Sequence, residues 1–98
     1  MGREIAPVTP GELLQEKFQT PMGVSQYRLA KEIGVSARRI NEIVKGVRAI
    51  TADTDLRLAR FFGLSDGYWL SAQVMHDTEV AREKMQDIRA KIQPLEHV

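Results

Sequence analysis

Within S-A-R-R-I-N-E-I-V-K, residues 36–45, four polar side chains recur at helical spacing: Arg38, Asn41, Glu42 and Lys45. At about 100° per residue they fall on one side of a helix, opposite a stripe of Ile40, Ile43, Val44 and Val47 that is predicted to be buried. Ala37 and Arg39 flank the outer face. Arginine can donate two hydrogen bonds to O6 and N7 of guanine, and asparagine can pair with N6 and N7 of adenine. A small, open first turn followed by those two residue types suits insertion into the major groove of DNA. The competing reading is a solvated charged face, the common fate of one isolated surface arginine. Glu42 stands out, because phosphates repel an acid. It either accepts from a cytosine amine or pairs with a neighbouring arginine.

Charge across the whole chain points the same way. The formal net charge is +1 over 98 residues, but residues 25–48 hold six basic side chains (Arg28, Lys31, Arg38, Arg39, Lys45, Arg48) and two acidic ones, net +4. The remainder carries eight basic and eleven acidic groups, net −3. Such concentration is expected of a surface that meets a polyanion. Cysteine is absent, which excludes disulfides, thiolate zinc sites and thiol catalysis, and suits a reducing cytosol. Two histidines, His76 and His97, are too few and too scattered for a metal cage. His76 beside Asp77 has no nucleophile, second histidine or phosphate-binding loop nearby in sequence, so neither an enzyme nor a cofactor is expected. No apolar run approaches the roughly 20 residues that span a bilayer, and M-G-R-E-I-A-P lacks a signal peptide's apolar segment.

The elements that must position these residues are legible as helices. Thr9-Pro10-Gly11-Glu12 has the form of a capping box with proline at the first helical position, and the helix continues through Leu13, Leu14, Lys17 and Phe18 until Pro21 and Gly23 end it. Ser25 caps a second helix whose Leu29, Ala30 and Ile33 share a face. Gly34-Val35 makes a corner, Ser36 caps a third helix ending near Lys45, and Gly46 closes it. Thr51 begins a fourth helix, with Asp53 and Asp55 near its positive end and Leu56, Leu58, Ala59 and Phe62 as apolar content. Ser65-Asp66 is expected to start a fifth, carrying Tyr68, Trp69, Leu70 and Met75, with the aromatic pair in the core. Beyond Ala81, Met85, Ile88 and Ile92 make a narrow seam on a charged helix. Five helices leave little core for it, so it packs either on a second subunit or another protein, or back on its own domain. No period-two alternation occurs, and the chain is read as all-α with five to six helices.

Small Ala30, glycine at Gly34, and Ile40 and Ile43 locking one helix on the other make residues 26–45 a helix-turn-helix unit. S-Q-Y-R-L-A-K-E-I-G-V-S-A-R-R-I-N-E-I-V-K-G resembles the helix-turn-helix of XRE or Cro/C1-type repressors, which have a lambda-repressor-like fold. The wider frame T-P-G-E-L-L, R-A-I-T-A-D-T-D-L-R-L-A-R-F-F-G and Y-W-L-S-A-Q resembles the HigA (VapI-like) antitoxins over roughly residues 8 to 91. Two departures are Thr9 where relatives commonly have histidine, and Trp69-Leu70-Ser71-Ala72-Gln73 where they have Trp-Leu-Asn-Leu-Gln.

The resemblance implies a DNA-binding domain over residues 1–76 and a helical extension over 77–98. By position it assigns Ala37, Arg38, Asn41 and Glu42 to base reading, and Gln26, Arg39, Lys45 and Arg48 to phosphate or base contact. It further implies a cytoplasmic homodimeric repressor on a palindromic operator, silencing a RelE-like messenger-RNA endonuclease toxin and regulating its own promoter. The seam residues Met85, Ile88 and Ile92 are then candidates for the dimer or toxin contact. A stand-alone XRE-type regulator and a protein-interaction module that uses the motif as scaffold are the competing readings.

Overall fold

The computed structural model describes residues 8–96, and every regular element among them is helical. α1 (Pro10–Leu13) runs without interruption into a π-helical segment (Leu14–Gln19) and then α2 (Thr20–Met22), forming one rod. Its start is the expected capping box: Thr9 Oγ1 accepts from the Glu12 N–H at 3.0 Å, and the Glu12 carboxylate accepts from the Thr9 N–H at 2.9 Å. Pro21 does not end the rod. The π-register places the Thr20 N–H on the Gln15 carbonyl five residues back, and a proline entering at the following position needs no donor of its own. Gly23, left-handed at φ 66°, is the stop.

α3 (Gln26–Ile33) and α4 (Ala37–Val44) follow, each capped by the serine before it, with Ser25 accepting from Arg28 N–H and Ser36 from Arg39 N–H. α5 (Ala52–Phe62) starts at Thr51 and ends at Gly63. The rod packs on α4 and α6 (Tyr68–Lys84), while α5 packs on α3 and α6. Leu14, Leu29, Ile40, Ile43, Leu58 and Trp69 are essentially inaccessible, one or two from each long element. Each such side chain contributes about 1.5–3 kcal/mol relative to exposure. Phe18 and Phe62 close over Trp69, with ring centroids 5.0 Å apart for Phe18–Phe62 and for Phe18–Trp69. Trp69 is core as expected, whereas Tyr68 stands partly in solvent.

Several expectations need correction. α6 begins at Tyr68 rather than at Ser65-Asp66, and the residue before it, Gly67, is left-handed. Its cap comes from another helix: buried Asp55 accepts from the Gly67 and Trp69 N–H groups at 2.7 Å and from Leu70 N–H at 3.2 Å. Val47 is not part of the buried stripe; α4 stops at Val44, so the helical wheel does not reach it and its side chain is exposed. Leu56 and Met75 are also exposed.

α6 (Tyr68–Lys84) passes through the expected domain boundary at 76/77 as one helix, and a break at Met85 leads to α7 (Gln86–Lys91). The described residues extend 53 × 32 × 21 Å with a radius of gyration of 16.7 Å. A compact 100-residue domain has about 13 Å. The excess is an arm formed by the end of α6 and α7. Its seam does not pack back on the domain: Met85, Ile88 and Ile92 are 38%, 55% and 64% exposed.

Candidate nucleic-acid interface

The joint between α3 and α4 is built as its residue types require. Gly34 takes φ 75°, a conformation costly for any residue with a Cβ, and its N–H bonds to the Ala30 carbonyl. The Val35 N–H reaches the same carbonyl at 3.0 Å. Ala30, Ile40 and Ile43 are buried behind the corner. α4 therefore turns its other face outward, and that face is the candidate site.

Ala37 is the exposed first residue of α4, and Arg38 follows with 84% of its side chain accessible. Asn41 meets the first motif helix: its Nδ2 donates to Gln26 Oε1 at 3.3 Å, so two site residues fifteen apart in sequence form one polar pair. Lys45 ends α4, exposed, its N–H on the Asn41 carbonyl. Glu42 resolves its two options in this structure by pairing with arginine, on both oxygens. Arg38 Nε donates to Oε2 at 2.9 Å and Arg48 Nε to Oε1 at 2.8 Å. The Arg48 and then the Arg38 hydrogen bond hold the Glu42 carboxyl below its ordinary pKa. Whatever this pairing contributes is thus fully present above the usual carboxylate range and is lost as pH falls through the depressed value.

Arg39 is brought to α5 rather than to the outer face. Its Nη1 lies 3.1 Å from Asp53 Oδ2 and 3.5 Å from Thr54 Oγ1. The same Asp53 oxygen accepts from Arg57 Nε at 3.0 Å, and Arg57 Nη1 donates to the Ile33 carbonyl at 2.7 Å and the Gly34 carbonyl at 3.3 Å. Arg57, then Arg39, lowers the Asp53 pKa through these bonds. Arg57 thus satisfies the last carbonyls of α3 and ties the corner to α5. The four-residue spacing of Asp53 and Arg57 is visible in the sequence, but the reach to Ile33 and Gly34 is not, because it crosses between elements. The role of Gln73 is likewise not visible in the sequence, because its partner lies 23 residues away. Its side chain accepts from Ile50 N–H at 2.7 Å and donates to the Ile50 carbonyl at 3.4 Å, fixing the segment that follows α4.

Met85, Ile88 and Ile92 lie on the arm, on elements outside this face. His76 Nδ1 stands 3.0 Å from Asp77 Oδ1 on α6, and His97 falls outside the described residues. Among the described residues, no helix is long and apolar enough to cross a membrane.

The Helix-turn-helix family model matches residues 14–69, more than half of the chain. Virulence-associated protein I of Dichelobacter nodosus is 47% identical over 85 residues, covering 87% of this chain and 79% of that protein. Antitoxin HigA-1 of Vibrio cholerae is 30% identical over 89 residues, covering 91% and 84%. Among solved structures, Pseudomonas aeruginosa antitoxin HigA with the higBA promoter superposes with a TM-score of 0.84 at 34% identity, covering 92% of this chain and 99% of that one.

Proposed function

The chain belongs to the HigA/VapI-type antitoxins of the XRE/Cro-C1 helix-turn-helix class, and from that premise we propose that it is the operator-binding antitoxin of a HigBA-type module. The observation that carries the DNA half is α4 itself. Its inner face is fixed by Ile40 and Ile43, and its outer face presents Ala37, Arg38, Asn41, Glu42 and Lys45, with Gln26 of α3 alongside. The HigA relative solved with its promoter supports the same use of this fold. Arg38 and Asn41 read base edges, while Gln26, Lys45 and Arg48 meet phosphates and set the register. Arg39 serves chiefly to hold α4 against Asp53 of α5.

The protein acts in the cytoplasm as a two-fold dimer, reading a palindrome whose half-sites lie about 34–36 Å apart. Its second partner is a RelE-like messenger-RNA endonuclease. The exposed seam of the arm supports a role for residues 77–98 in one of these two protein contacts, as a continuation of α6 rather than as a separate folding unit.

Arg38→Ala is expected to cost about 1–3 kcal/mol of operator binding and to relax specificity at one base pair, whereas Lys45→Ala weakens all duplexes alike. Titration against every single-base operator variant checks this; equal losses by Arg38→Ala on operator and random duplex would remove its base-reading role. A chain ending at Val80 is expected to lose dimerisation or toxin capture. Sedimentation and pull-down of the toxin encoded beside it measure both, and survival of the two together would leave the seam without either use. Rescue of growth on co-expression with that toxin tests the antitoxin role itself.

A further inference from the structure

The outward face of α4 and the turn after it hold one acidic side chain between two arginines. Glu42 spends both carboxylate oxygens on different guanidinium groups, at 2.9 Å to Arg38 Nε and 2.8 Å to Arg48 Nε. Its main-chain carbonyl also accepts from the Val47 and Arg48 N–H groups at 2.9 and 3.2 Å, so Arg48 is fastened to Glu42 by backbone and side chain. The arginines are accessible, 84% and 46% by side chain, while Glu42 is only 22% exposed beneath them. Bonding through Nε leaves the end of each guanidinium, its two Nη groups, for another acceptor. Charge-assisted bonds this short must be broken or rearranged before either arginine can wrap a phosphate side-on.

We propose that Glu42 is the specificity-determining residue of the DNA-reading face: its carboxylate restrains Arg38 and Arg48 together, so a phosphate that wraps either guanidinium side-on must break that latch. A matched guanine instead takes up Arg38 through the free Nη end with the latch intact. The carboxylate additionally repels phosphates that approach out of register, at a range well inside a Debye length of about 8–10 Å. A residue that looks unfavourable for DNA binding therefore lowers affinity for the wrong DNA more than for the right one. This rests on the reading of α4 as the major-groove helix.

The test compares full-length wild type, Glu42→Gln and Glu42→Asp on two probes between about 50 and 200 mM salt. One probe is a duplex selected by the wild type from a random-sequence pool; the other is its scrambled counterpart. Glu42→Gln is expected to bind the scrambled duplex about tenfold more tightly, with a salt slope steeper by about one per subunit, while the selected duplex changes by less than about threefold. Glu42→Asp keeps the charge but is one methylene too short to span both arginines. It is expected to lose discrimination with an unchanged salt slope, and it carries the test alone if thermal melting shows Glu42→Gln to be unfolded. Equal changes on both duplexes with Gln, or undiminished discrimination with Asp, would overturn the latch. A wild type that selects no duplex at all would instead overturn the DNA reading on which it rests.

Discussion

Replacing Asp55 by alanine is expected to destabilise the fold by about 3–5 kcal/mol and to lower the thermal midpoint by at least about 12 °C. Asp55 is 1% exposed and its carboxylate is the shared acceptor for the N–H groups of Gly67, Trp69 and Leu70. An α-helix leaves its first N–H groups without internal partners, and α6 has no side chain of its own N-cap residue to supply them, since that residue is Gly67. Deleting the carboxylate therefore strands donors in a buried place, which costs more than the net worth of the bonds themselves. Trp69, the largest side chain of the core, is the residue whose backbone is released. Asp55→Asn retains an acceptor and is expected to fall between the two. Chemical denaturation of the three proteins is the measurement, and a loss under about 1 kcal/mol for alanine would mean that α6 finds another cap.

Gly11→Ala carries the second large effect, for a reason of space rather than of backbone freedom. A Cβ at Gly11 would lie against the Ile43 carbonyl oxygen and within 2.8 Å of Cα and the carbonyl oxygen of Val44. These are backbone atoms of α4, which no rotamer change can move aside. The rod and α4 must separate, and we expect about 2–4 kcal/mol of destabilisation. DNA affinity should fall further than the unfolded fraction explains, because α4 is the element displaced. Gly23→Ala is the comparison: nothing lies within 4 Å of its Cβ position, so only the left-handed backbone opposes it, at about 1 kcal/mol and without loss of affinity in the folded fraction. If Gly11→Ala binds operator as well as Gly23→Ala does once both are folded, the rod does not set the pose of α4.

Much of the fold was legible because its signals are local. The capping box at Thr9 and Glu12, the serine caps at Ser25 and Ser36, Gly34 in the corner and the Ile40–Ile43 stripe each act over four residues or fewer, and each stands where its residue types put it. Where the local rule met a longer-range one, it lost. Pro21 reads as a stop but lies within the rod, where the π-register ahead of it already departs from the four-residue bonding pattern. Ser65-Asp66 reads as a helix start, but α6 takes its cap from Asp55, eleven residues before Asp66 and on another helix.

The same division runs through the site. From sequence alone come the all-helical class, the helix-turn-helix, the concentration of basic charge between residues 25 and 48, and the set Arg38, Asn41, Glu42 and Lys45 on one helical face. These follow from composition and from the 3.6-residue period, which fix what a helix can present. Only the tertiary structure decided which of those groups are already engaged. Glu42 pairs with Arg48, beyond the end of its own helix; Asn41 meets Gln26 across the corner; Arg39 is drawn to Asp53 on α5; and the seam at Met85, Ile88 and Ile92 is left uncovered on an arm. The physical reason is that partner choice depends on which helix faces are brought together, and no local periodicity encodes distances between elements far apart in the chain.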